Sequence, residues 1–239
     1  MQKGLSSPRL LIVQTGSTQL HGDYPRWFER TLGFEMPVTR AHEGEQLGPA
    51  LDRVRPRGII VSGSPLSVTE KAPWMLRLGD DLLRAGARGI PVLGVCFGHQ
   101  LLARAAGGDV VENPRGREIG TVRVQLTEPG RKDVLFAWAS GAEIEVQATH
   151  VDAVDPLPPG ATVLASNENT AGQAYRLSET IAAVQFHPEL WGAAMRDLIL
   201  SRRQKLAAEG LDAGALAGQV REVDASAILR AFAGQAERA

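Results

Sequence analysis

The 239-residue chain contains one cysteine, Cys96, within Pro91-Val92-Leu93-Gly94-Val95-Cys96-Phe97-Gly98-His99-Gln100. A lone thiol is either a small buried hydrophobe or a nucleophile. Glycines two residues to either side, where an apolar strand gives way to a helix, form the G-x-nucleophile-x-G pattern of a nucleophile elbow. Such a turn brings neighbouring backbone close and holds its central residue in strained dihedrals, so bulky flanks would obstruct it. A helix N-terminus aimed at the sulfur favours the thiolate. Glycine-rich turns also end many strands, so the elbow alone leaves the packing reading open.

A second apolar run, Ala183-Val184-Gln185-Phe186-His187-Pro188-Glu189, ends in a histidine. Histidine is a base near neutral pH, and functional groups gather at the carboxyl ends of strands in open α/β sheets. Cys96 and His187, 91 residues apart, can therefore face one another. Pro188 biases His187 towards extended geometry, which lets Glu189 project to the same side and fix the imidazole tautomer. Singly, His187 would be a structural histidine and Glu189 the acidic first turn of a helix; their joint placement is what points to chemistry.

These strand ends require a parallel sheet. Val-, Ile- and Leu-rich runs at Arg9–Gln14, Glu35–Thr39, Gly58–Ser62 and Pro91–Val95 alternate with amphipathic stretches at Tyr24–Leu32, Gln46–Val54 and Pro73–Ala87, the signature of a sheet covered on both faces. A helix over Gly98–Gly107 follows. Closely spaced strands are then expected at Gly120–Thr127, Glu143–Gln147, Thr162–Ser166, Gln173–Arg176 and Ile181–Gln185, as a mixed or antiparallel extension. A helix over Gly192–Ala208 and an Ala-rich tail forming two more helices complete the chain.

Gly94-Val95-Cys96-Phe97-Gly98-His99-Gln100 and His187-Pro188-Glu189 together resemble the hallmarks of the class I glutamine amidotransferases, a G-x-C-x-G-x-Q elbow and a late H-P-E. The resemblance covers roughly residues 9–200. It implies an α/β fold: a three-layer, open, mostly parallel, flavodoxin-like sheet with a small antiparallel extension and a helical C-terminal tail. One domain over residues 1–200 is expected, with 201–239 as its helical extension. The resemblance also implies that Cys96 attacks the glutamine carboxamide, releasing ammonia and leaving a thioester that water hydrolyses with His187 assisting. The oxyanion donors would be the N–H groups of Phe97 and Ser64, the latter in Ser62-Gly63-Ser64-Pro65. Many members carry glycine at the Ser64 position, and a serine Cβ restricts the dihedrals open to it. Gly63, Gln100 and His150, the last in Ala148-Thr149-His150-Val151-Asp152, match substrate-contacting positions. His99, in the first turn of the elbow helix, should project away from the sulfur.

Within the class, the loop Val61-Ser62-Gly63-Ser64-Pro65 and the run Asn167 to Glu189 resemble free-standing proteins similar to the amidotransferase domain of GMP synthase. No phosphate-binding loop is present, so the nitrogen acceptor would be water or a synthetase on another chain. A hydrolase of γ-glutamyl amides or peptides would use the same triad, and a catalytically silent binding protein could share the fold. The tail would cover the surface that contacts a synthetase in fused relatives, or form a homodimer contact.

A net charge of −1, from 26 basic and 27 acidic side chains without blocks, provides no field for nucleic acid or membrane surfaces. No apolar run approaches the roughly 20 residues of a membrane span, and Met1–Pro8 lacks the apolar core of a signal peptide. A cytoplasmic location is expected. His21 and His42 lack metal-ligand spacing, and no cofactor is expected.

Overall fold

The computed structural model describes residues 9–239; Met1–Pro8, read above for a leader segment, lies outside them. In chain order the elements are β1 (Leu10–Gln14), α1 (Tyr24–Leu32), β2 (Val38–Arg40), α2 (Leu47–Val54), β3 (Gly58–Val61), α3 (Pro73–Ala87), β4 (Val92–Val95), α4 (Phe97–Ala105), β5 (Val110–Glu112), β6 (Glu118–Leu126), α5 (Glu128–Lys132), β7 (Glu143–His150), β8 (Asp152–Val154), β9 (Thr162–Ser166), β10 (Ala174–Arg176), β11 (Ile181–Val184), α6 (Gly192–Ser201), α7 (Arg203–Ala208), α8 (Ala213–Gln219) and α9 (Ala227–Arg238). Among the described residues the main sheet has nine strands in the order β2-β1-β3-β4-β11-β10-β9-β6-β7, and β5 pairs with β8 in a separate ribbon.

The run β2-β1-β3-β4-β11 is parallel, and every later pairing is antiparallel. Strands β3, β4 and β11, and β1 up to its closing Gln14, carry no polar side chain because both their faces are covered, whereas the edge strand β2 is Val38-Thr39-Arg40 with Arg40 exposed. In β1, Leu10 and Ile12 join a core with Phe28, Phe186 and Phe232, whereas Leu11 and Val13 join one with Leu51, Leu82 and Leu101. Helices α2, α3 and α4 cover the second face. Helices α1 and α9 lie on the first.

The tail is part of that layer. Ile228, Leu229, Phe232 and Ala236 of α9 are at most 1% exposed and pack with Leu10, Ile12 and Ile60. A Cβ on Gly58 would come within 2.8 Å of the Ala236 methyl, so the bare backbone of β3 is what lets α9 approach.

Several boundaries differ from those expected. Strand β2 starts at Val38, not Glu35, because Pro37 has no N–H to donate to the ladder and contributes its carbonyl, which accepts from Ile12 N–H at 2.9 Å. The helix expected over Gly192–Ala208 breaks at Arg202. Beside the break, the Ser201 hydroxyl donates to the Leu198 carbonyl at 2.7 Å, competition with the backbone that bends helices. The β5–β8 ribbon, of three residues a side, is too short to leave a periodicity.

Candidate active site

Strands β4 and β11 are parallel neighbours with Val95 opposite Val184. Each ends beside the other, and the Cys96 N–H donates to the Val184 carbonyl at 2.9 Å. Cys96 caps α4 with φ 51° and ψ −99°, outside the regions open to an unstrained L-residue; such a residue costs of order 1–3 kcal/mol and persists only where its surroundings enforce it. The surroundings are visible at both glycines of the elbow. A Cβ on Gly94 would meet the Gly98 carbonyl oxygen at 2.6 Å, and one on Gly98 would meet the Val61 carbonyl oxygen at 2.7 Å. Both obstacles are backbone, so neither position admits a side chain without moving α4 or a strand.

His187 follows β11 and is anchored by its own N–H, which donates to the Gln147 carbonyl at 2.8 Å. Its Nδ1 lies 2.7 Å from Glu189 Oε1, and the two residues are 3% and 1% exposed. Nε2 has no partner of good hydrogen-bond geometry among the described residues, and the thiol of Cys96 stands near it. Burial alone would lower the His187 pKa. The charges of Glu189 and Cys96 overcome that effect, and hydrogen bonding to both adds to them, so the pKa rises to about 10. The geometry is that of an imidazole held by a carboxylate on one side and open to a thiol on the other, which suits proton exchange with the sulfur.

Gly63 lies against this ring: a Cβ there would be 2.9 Å from His187 Cε1 and 3.7 Å from Cys96 Cβ. Gly63 thus makes space for the imidazole and does not line the cleft. Tyr24 packs beside it, with a ring carbon 3.6 Å from the same imagined Cβ; burial pushes its phenol pKa well up although the Arg202 charge opposes the shift.

The loop after β3 is fastened to the loop after β1. Thr15 Oγ1 donates to the Ser62 and Gly63 carbonyls at 3.0 and 3.1 Å, and Ser64 Oγ donates to the Thr15 carbonyl at 2.8 Å. Ser64 is not among the residues of positive φ, so its Cβ brings no strain, contrary to the difficulty expected of a non-glycine there. The Ser64 hydroxyl supplies a tether that glycine could not. Among the described residues the backbone N–H of Ser64 has no acceptor, and that of Phe97 is one of the free donors of the first turn of α4.

Cys96, Ser64 and Phe97 line a cleft of about 570 Å³ together with Gln100, Thr149, His150, Asp152, Arg117, Arg202, Lys205 and Glu209. Gln100 is only 4% exposed; its amide donates to the Asp152 carbonyl at 3.0 Å and to Gln185 Oε1 at 3.1 Å. His150 lies 2.8 Å from Glu118 Oε2 and 3.0 Å from the Asp152 carbonyl, a structural pairing at the cleft wall.

His99 points away from the cleft and is fully buried. It packs on Tyr175 with ring centroids 4.6 Å apart, and burial, aided by His150, lowers its pKa to about 3. It is neutral at any ordinary pH. His21 pairs with Asp197, and His42 with the Gln14 carbonyl. No cluster able to hold a metal ion occurs among the described residues, nor any helix long and apolar enough to cross a membrane.

The architecture and the sequence agree with one known family: residues 30–204 match Glutamine amidotransferase class-I. The chain belongs to that family. As a class I glutamine amidotransferase it is 34% identical over 190 residues to a GMP synthase [glutamine-hydrolyzing] of Aeropyrum pernix, covering 80% of this chain and 34% of the relative. A second GMP synthase, from Nitrosomonas eutropha, is 39% identical over 201 residues, covering 81% of this chain and 36% of that protein. The chain therefore spans about a third of the length of the GMP synthases it matches.

Among solved structures, a glutamine amidotransferase from Thermotoga maritima superposes with a TM-score of 0.77 at 20% identity, over 97% of this chain and 99% of that one, a likeness of fold. One from Methylobacillus flagellatus gives 0.72 at 26% identity, over 97% and 93%. Helices α8 and α9 lie beyond the residues that match the family.

Tyr24 and Arg202 were not found from the sequence. Neither stands in a motif: Tyr24 opens an amphipathic helix, and Arg202 is one arginine in a helical stretch whose break the pattern did not mark.

Proposed function

We propose that this class I glutamine amidotransferase hydrolyses the side-chain carboxamide of glutamine through a thioester on Cys96. The observation that carries this reading is the buried alignment of Glu189, His187 and Cys96 at the ends of two adjacent strands, with Cys96 lining a cleft together with Ser64 and Phe97. The sulfur adds to the carboxamide carbon, and the oxyanion so formed takes hydrogen bonds from the N–H groups of Ser64 and Phe97. Collapse breaks the C–N bond while His187 delivers a proton to the departing ammonia. Water then adds to the thioester with His187 as base, and glutamate leaves as Cys96 is regenerated.

In this reading residues 1–200 form the catalytic domain and 201–239 its helical extension, and the ammonia passes to a synthetase. The similarity to GMP synthases [glutamine-hydrolyzing] supports glutamine as the substrate. A γ-glutamyl amide with a larger leaving group is the second reading, favoured by a cleft wider than one amino acid fills.

The test is to incubate the protein with an electrophilic glutamine analogue and read its intact mass, with Cys96→Ala as control and glutamine as competitor. One adduct, absent from the variant and suppressed by glutamine, is the expected result. A thiol that reacts with small alkylators while ignoring the analogue refutes it.

A further inference from the structure

Arg202 stands at the break between α6 and α7 and lines the same cleft as Cys96. It is held there by one hydrogen bond, Nη1 to Thr149 Oγ1 at 2.6 Å. Among the described residues no carboxylate comes within ion-pair reach of it, and the nearby acids are committed elsewhere. Glu209 takes Arg117 in a two-pronged pair at 2.5 and 2.7 Å, Glu118 takes His150, Glu189 takes His187, and Asp152 accepts from the Ser67 hydroxyl. Burial is the main cause of a lowered Arg202 pKa. A half-buried guanidinium with no ion-pair partner, most of whose five donors reach no protein acceptor, is available to an anion that enters the cleft.

The proposed reaction supplies such an anion. With the carboxamide at Cys96 and its oxygen against Ser64 and Phe97, the other end of a glutamine molecule carries an α-carboxylate that must also enter the cleft. A planar guanidinium is the side chain best shaped to receive it. We infer that Arg202 binds the α-carboxylate of the γ-glutamyl substrate and makes the enzyme selective for a free α-carboxylate. The inference rests on the reading given under Proposed function, and concerns the substrate's far end, not the chemistry at its amide.

The measurement is protection of Cys96 from iodoacetamide, followed by intact mass, with glutamine and glutamine α-carboxamide as protectants of the wild type, Arg202→Met and Arg202→Lys. Unprotected alkylation rates equal in all three proteins show that the elbow is intact. Glutamine should half-protect the wild type at a concentration about 10- to 100-fold lower than the α-carboxamide does, the range for a lost charge-assisted pair. Arg202→Met should erase that preference, and Arg202→Lys should keep part of it.

Equal protection by the two ligands in the wild type, or an unchanged preference in Arg202→Met, overturns the role of Arg202 and leaves glutamine binding standing. Should glutamine protect none of the proteins, the glutamine reading of the site falls and this inference falls with it. Because the wild-type comparison changes only the ligand, an unfolded variant would not spoil the test.

Discussion

Gly63→Ala tests whether the imidazole is held where the proposed reaction needs it. The new methyl would begin 2.9 Å from His187 Cε1, closer than a carbon–carbon contact of about 3.5–4.0 Å allows, so ring or loop must yield by at least about half an ångström. The ring has little freedom: Glu189 holds its Nδ1 at 2.7 Å, its backbone is tied to β7, and the residue is 3% exposed. The loop has little either, since Thr15 and Ser64 lace it to β1. The displacement therefore falls between imidazole and sulfur. A misplacement of about 1 Å in a catalytic group can cost about 100-fold in rate, so a shift of half that size should lower kcat about 10-fold or somewhat more, about 1.4 kcal/mol or more on the barrier. Ammonia release from glutamine gives kcat and KM, and urea denaturation gives stability, for which overpacking predicts a loss of about 1–3 kcal/mol. A folded Gly63→Ala protein with wild-type kcat would refute the argument, because it would mean the imidazole need not occupy the space that Gly63 leaves.

Further outcomes are specific. In the folded protein His187 titrates near 10, against an ordinary 6.5, so the stability its charged form contributes is fully present below pH 6.5 and is lost as pH rises through 10; in Glu189→Gln this loss should shrink, read as a flatter urea midpoint between pH 6 and 10. Phe232→Ala, at a position 1% exposed between α9 and the sheet, should destabilise by about 3–5 kcal/mol in urea unfolding while the folded fraction still alkylates at Cys96. Gly94→Ala, whose methyl would meet the Gly98 carbonyl oxygen at 2.6 Å, should lose folded protein or thiol reactivity even at low temperature, and a soluble variant with wild-type alkylation rates would contradict the tight elbow described above.

The sequence carried the parallel half of the sheet because strands buried on both faces read as near-continuous apolar runs, as in Leu10 to Val13 and Gly58–Val61. It carried the elbow and the H-P-E segment because their chemistry is confined to a few adjacent residues. What it hid depends on distant neighbours. The role of α9 as a layer of the core is written in which side of the helix meets Leu10 and Ile60, and composition alone reads that helix as an appendage. The substitution of serine for glycine at position 64 looked costly from intrinsic dihedral preference, yet its hydroxyl finds the Thr15 carbonyl, a partner 49 residues away that no local rule reveals. Arg202 was invisible because its importance comes from carboxylates that do not pair with it.

The pairing of β4 with β11 has a consequence for how such a site can change over time. Cys96 and His187 are separated by 91 positions in the chain but by one strand spacing in the sheet, with Val95 and Val184 in register. Distance between nucleophile and base is set by a hydrogen-bonded ladder and is independent of how much chain lies between them. Lengthening the turn at Gly141, where an added Cβ meets nothing closer than 4.0 Å, should leave the catalytic spacing unaltered, whereas a single residue inserted within Ile181–Val184 would move the side chains beyond it to the opposite face of the sheet. The intervening segment, which builds much of the cleft wall, is thus free to vary in length and to acquire new specificities while the reacting pair stays fixed.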